Sequence, residues 1–365
     1  MTAPATSRWI FSPAIDLAVF GALALVALAL VLAAPGLGLA GADTPTWAWV
    51  PGVLLVDVAH VWSTGFITYL DGSELARRPI LYATVPLAGW LAGVAVYAVA
   101  GPDGFWRGLA YLAIFHFVRQ QYGWLALYRA RAGERTGAWI DGAMIYAATL
   151  YPLIWWHTAS PRAFAWFVAG DLATGAPAAI ATVAGALYLA IIAAYLARAV
   201  VTARRGAVPW GKHLVVATTA ACWYVGIVAT DGDFTFTVTN VLIHGVPYIA
   251  LVVIYGRAVA AADPAAAASV GARLLRRPWL LAVALLWLVA FVEELIWDRA
   301  VWHDHAGLFG GSFGVDDLQL VLVPLLAVPQ LSHYLLDGVL WRRGQNPRLA
   351  LWFGRGRAAA GPDLA

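Results

Sequence analysis

Apolar residues run nearly unbroken for about twenty positions at a time along this chain, the length that crosses a bilayer core as a helix. Ten such windows fall at 13–34, 48–70, 80–100, 107–128, 139–159, 177–198, 211–230, 235–256, 279–298 and 317–341. The connections between them are mostly short. The pattern predicts an all-α fold: a polytopic membrane helix bundle of ten transmembrane helices within 1–348, followed by a tail at 349–365. The Ala-rich stretch 258–269 is the one low-complexity tract, and no internal repeat stands out.

Composition supports this reading. Hydrophobic residues make up 62% of the 365 positions and charged residues 12%, and the mean hydropathy is +0.75. A soluble domain carries roughly twice that charge, so the solvent for most of this chain is lipid. The net charge of +3 is too small to suggest nucleic acid. A single cysteine, Cys222, excludes an internal disulfide framework and a CxxC metal knuckle. The first apolar run follows Arg8 and contains Asp16, and it reads as a retained span rather than a cleaved signal.

The placement of charge sets the expected orientation. With the N-terminus inside, all but four of the 23 basic residues fall in inner segments, including Arg8, Arg77, Arg129, Arg257, Arg343 and Arg357. The outer segments hold only Arg107, Arg162 and Arg299, and Arg119 lies within a span. The expectation is therefore a multi-pass protein of the cell's inner (cytoplasmic) membrane, with both termini cytoplasmic and membrane lipids as partners. The tail segment LALWFGRGR (Leu349–Arg357) reads equally as an interfacial segment on the inner surface or as a solvated basic end.

Chemistry enters with the histidines. His60 lies eleven residues before Asp71, His116 thirteen before Arg129, His244 thirteen before Arg257, and His333 nine before Arg342. At 1.5 Å per residue these four sit about 14–20 Å from the inner boundary, near the middle of the core. The other four, His157, His213, His303 and His305, fall at span ends or in the last outer loop. Each mid-depth histidine has a polar companion one turn away: Asp57 for His60, Arg119 and Gln120 for His116, Asn240 for His244, and Asp337 for His333. A lone membrane histidine more often bonds a neighbouring helix. Four at one depth, each with a companion, point to a shared site.

Neutral imidazole suits Zn, Cu, Fe and Ni, so His60, His116, His244 and His333 are the expected metal ligands. Fe(II) is the expected ion, with zinc or haem as alternatives. Asp57, Arg119 and Asp337 are the candidate catalytic residues, the two aspartates as groups that orient an imidazole. Gln120 and Asn240 are the candidate cofactor-binding residues. Arg119 needs a buried acceptor, and it is expected to pair with Asp57 or Asp337. Tyr122, Tyr248 and Tyr334 lie near the histidine level, where they line a pocket for a long apolar substrate or simply pack.

The histidine segments IFHF (Ile114–Phe117), VPQLSHYLLD (Val328–Asp337), VLIHG (Val241–Gly245) and DVAHVW (Asp57–Trp62) resemble those of the bacterial integral-membrane β-carotene 15,15′-dioxygenases (Brp/Blh). That family's first motif has His followed by Gly, whereas Val61 and Trp62 follow His60, and its third segment tends to pair histidines where this chain has only His244. The resemblance implies one non-haem iron held by His60, His116, His244 and His333, and an oxygenase acting on a lipophilic small-molecule substrate. Two other classes stay open. One is a bis-histidine haem redox protein, and the other is a transporter built on a buried His/Arg/Asp network. A second polar group, Glu293, Glu294, Asp298, His303, Asp304, His305, Asp316 and Asp317, is placed at the outer face, where it is either chelating or merely polar.

Overall fold

The computed structural model describes residues 9–159, 162–206, 208–342 and 344–352, and among these the chain is all-α with no strand. In chain order the long helices are α1 (Pro13–Leu37), α2 (Thr46–Ile67), α3 (Pro79–Ala132), α4 (Ala138–Thr158), α5 (Ala178–Arg204), α6 (Trp210–Ala229), α7 (Asp233–Ala262), α8 (Trp279–Trp302) and α9 (Asp316–Leu340). All eight besides α4 are long and apolar enough to cross a membrane, by length and composition.

Two of the ten sequence windows, 80–100 and 107–128, lie on the single helical stretch α3. Its 54 residues would extend about 80 Å if straight, well over twice a bilayer core. It is broken at Gly101, where φ is 72° and ψ is −178°. That left-handed backbone suits glycine, and Pro102 after it cannot donate an N–H to the ladder.

Among the described residues five stretches wind as π-helix: Leu17–Ala22, Val50–Val58, Tyr224–Ala229, Thr237–Val241 and Asp298–Trp302. A π turn closes from i to i+5 and holds more residues than an α turn, and such turns gather at functional sites. Val50–Val58 contains Asp57 and ends just before His60. Thr237–Val241 contains Asn240 and ends just before His244.

Contacts divide the chain into two units. Among the described residues, the first takes in residues up to Pro45 and Ala110–Pro247. Here Asp16, fully buried, accepts the backbone N–H groups of Ile10, Phe11 and Ser12 and the Tyr128 hydroxyl, so the one acid in the first apolar run ties the chain entry to α3. Asp141, in the first turn of α4, is also fully buried. It is held by Arg129, by Arg198 Nη1 at 2.9 Å and by Lys212 Nζ at 3.2 Å, and Lys212 also reaches Glu134 at 2.7 Å. Asp141 thus joins α3, α4, α5 and α6 through charge that a removed partner would leave uncompensated.

The second unit takes in Thr46–Leu109 and the described residues from Tyr248 onward. Arg348 plays the corresponding part in it. The guanidinium binds Asp71 Oδ2 at 3.0 Å, Asp263 Oδ2 at 3.0 Å and Ser73 Oγ at 2.7 Å. Asn346, also buried, bonds the Tyr255 hydroxyl at 2.9 Å and the Leu340 carbonyl at 2.8 Å. Of the tail, Leu349 and Trp352 are buried, and Trp352 meets Tyr255 edge-on. Residues 353–365, with the rest of the expected interfacial segment, lie outside the described residues, as do Arg8, Arg343, Arg355 and Arg357.

Candidate metal centre

His60 sits on α2 and His333 on α9, and their rings meet edge-on at 4.8 Å and 82°. Asp57 lies 3.5 Å from His60 Nδ1 through Oδ1. His333 Nδ1 is 2.9 Å from Thr64 Oγ1, which is 2.8 Å from the Tyr248 hydroxyl. Tyr248 in turn donates to Asp337 Oδ1 at 2.5 Å, and Trp341 Nε1 donates to the same oxygen at 3.2 Å. Asp337 itself stays 3.8 Å from His333 Nδ1. It therefore acts on the ring through Tyr248 and Thr64 rather than directly.

His116 sits on α3 and His244 on α7, with rings at 5.1 Å and 80°. Phe117 lies flat on the His244 ring, 3.6 Å away and 5° from parallel. Gln120 Nε2 donates to the His244 carbonyl at 2.8 Å. Asn240 is buried and donates to Thr239 Oγ1 at 2.9 Å. Gly226 lets α6 approach this spot, since a Cβ there would meet Thr239 Oγ1 at 2.0 Å and Asn240 Nδ2 at 2.6 Å. Asn240 is therefore part of a contact between α6 and α7.

All four histidines are buried, none more than 4% exposed. Each offers a ligand nitrogen, and these four atoms all lie within 4.8 Å of one another. The depth layer read from the sequence is a convergent group, able to hold a metal ion.

Within the first unit, Arg119 Nη1 donates to the Tyr146 hydroxyl on α4, and its guanidinium lies 5.0 Å over the Tyr122 ring. Tyr122 and Tyr146 stack at 5.1 Å. The phase of α3 thus turns Arg119 toward α4, while in the second unit Asp337 is held by Tyr248 and Trp341.

Of the outer acidic group, Glu293 accepts from Trp62 Nε1, two residues past His60, which sets it beside α2. Asp298 accepts the backbone N–H groups of Asp304 and His305 at 3.0 and 2.8 Å, and His305 stacks on Trp49 at 4.0 Å. These contacts shape a turn. Among the described residues the four-histidine group is the only cluster of three or more His, Cys, Asp or Glu that converges.

Sequence reasoning passed over Thr64 and gave Tyr248 no polar role, although one signal marks both. Thr64, Gln120, Tyr248 and Asp337 each lie four residues after a site histidine, at His60+4, His116+4, His244+4 and His333+4. That spacing puts each on its histidine's helix face. No protein-family model, curated protein or solved structure matches this chain. The fold and site define its class by themselves: an all-α chain with membrane-spanning helices and a buried four-histidine group that can hold a metal.

Proposed function

We propose that this protein is a membrane-embedded non-haem iron enzyme that performs oxygen-dependent chemistry on a lipophilic, carotenoid- or lipid-like substrate. One observation carries the reading: four buried imidazoles with ligand atoms within 4.8 Å of one another. Nitrogen ligands bind such ions at about 2.0–2.1 Å, so donors on opposite sides of one ion are about 4.2 Å apart. The observed spread fits that with a small contraction. Bound Fe(II) would supply oxygen activation at the coordination positions four imidazoles leave open. The chain's own part is to hold the rings, keep water out through burial, and admit an apolar substrate from the bilayer.

Haem is disfavoured by number: a bis-histidine haem uses two axial imidazoles, and here four converge. A transporter is the second reading, and the metal measurement below separates the two. The resemblance to the β-carotene dioxygenases supports the same ligand set, His60, His116, His244 and His333. We place the protein in the inner membrane with both termini cytoplasmic, so a reporter fused after Ala365 reads as cytoplasmic and one inserted near Gly311 as external. A periplasmic signal from the C-terminal fusion overturns that orientation.

The metal reading is tested on protein purified in mild detergent, which is expected to carry about one non-haem metal ion per chain and no Soret band. Folded protein with no metal after growth in iron-replete medium turns the reading to the transporter. A Soret band that disappears in His116→Ala turns it to haem.

A further inference from the structure

We infer that Thr64 and Tyr248 are positioning residues that fix the proton on His333 Nδ1 and thereby present Nε2 as a metal ligand. The inference rests on the metal reading above. It follows from the number of protons each group has to give. Trp341 Nε1 has only a donor, and it points at Asp337 Oδ1, which marks that oxygen as an acceptor. The Tyr248 phenol has a single proton and gives it to the same Oδ1 at 2.5 Å. Tyr248 oxygen can then only accept in its 2.8 Å bond to Thr64, so the Thr64 hydroxyl donates there. With its one proton spent, Thr64 Oγ1 must accept in its 2.9 Å bond to His333, so Nδ1 carries the hydrogen. Neutral imidazole has one N–H and one lone pair, which leaves the lone pair on Nε2.

The chain runs one way, from His333 through Thr64 and Tyr248 to Asp337. Thr64 is 3% exposed and Tyr248 1% exposed, so no water competes for these bonds. Thr64 stands on the helix that carries His60, and Tyr248 on the one that carries His244. The bonds that orient one ligand thus run through the helices of two others. A carboxylate at the end of such a chain also makes the ligand nitrogen more basic. Tyr248 further lies edge-on to both rings, 5.8 Å from His60 and 4.9 Å from His333.

The test is Co(II) binding by the full chain in detergent, with affinity from chelator competition and geometry from the visible spectrum. Thr64→Val keeps the shape and removes the hydroxyl, and Tyr248→Phe removes only the phenol oxygen. Each is expected to weaken Co(II) binding about 10-fold and to shift the visible bands, while Thr64→Ser binds as the wild type does. The double variant should be no weaker than the worse single one, because both break the same chain. If Thr64→Val fails to fold, Tyr248→Phe alone decides. A folded Tyr248→Phe or Thr64→Val with wild-type affinity and spectrum overturns the inference, even if its unfolding temperature falls. In that case loss of Co(II) in His333→Ala leaves the four-histidine site standing. Wild-type protein that takes up no Co(II) removes the metal reading and this inference together.

Discussion

The two histidine pairs have nearly the same ring geometry, 4.8 Å and 82° for His60/His333 against 5.1 Å and 80° for His116/His244. Their supports are of different kinds. His333 is held at a ring nitrogen by a hydroxyl, then a phenol, then a carboxylate. His244 is held across its face by Phe117 and through its backbone carbonyl by Gln120. A polar chain is directional, so it selects which nitrogen carries the proton. A flat aromatic contact selects the plane of the ring. The comparison teaches that one arrangement of imidazoles can rest on two chemistries, whose failures should look different.

The largest expected effect tests whether the pairs are equal as ligands. His333→Ala and His116→Ala should each lower metal affinity beyond the roughly 100-fold reached by losing a supporting residue. Full metal content in either variant would break the equivalence. Next comes the aromatic support. Phe117→Ala should cost about 3–5 kcal/mol in detergent unfolding, because a buried ring is lost from the core around Ile114, Val118, Trp156 and Phe236. Metal affinity should follow that loss of stability, whereas in the polar pair affinity should fall more than stability does. Gln120→Leu should be smaller, about 1 kcal/mol for one hydrogen bond, and a null result would mean that the His244 carbonyl is content with its helix partner. The smallest effect is a coupling. Since Arg119 bonds Tyr146, adding Asp57→Asn to Arg119→Gln should change stability by the sum of the two single effects, to within about 0.5 kcal/mol. A recovery in the double variant would show that the two charges are coupled.

What the sequence made legible was depth. Rise per residue and the asymmetry of Arg and Lys put His60, His116, His244 and His333 at one level without any knowledge of packing, and the structure gathers those four. Azimuth was less legible. Spacing does not encode which helix faces Arg119, and its bond to the Tyr146 hydroxyl of α4 is legible only from packing. Asn240 stands four residues before His244 in a π-helical stretch, where the α-helical spacing rule no longer gives the angle. Asp57 also stands in such a stretch and still comes within 3.5 Å of His60 Nδ1. The uniform fourth-residue spacing of Thr64, Gln120, Tyr248 and Asp337 runs forward into regular helix, and it was readable all along. Asp141 was unreadable for another reason: an acid near a window's edge looks like an interfacial residue until three cations from other helices close on it.

The π-helical stretches ahead of His60 and His244 also bear on chain length. An α-helix turns about 100° per residue, so removing one residue from a regular α-helix swings everything after it by that order. A π turn holds more residues than an α turn, so removing one residue from Val50–Val58 and letting the turn relax to α would leave His60 much nearer its present phase. The stretch ahead of the ligand is thus a place where the chain can change length by one and keep its centre. Two chains with the same four histidines and a single gap here would be expected to share the site, whereas the same gap in regular helix would turn a ligand away.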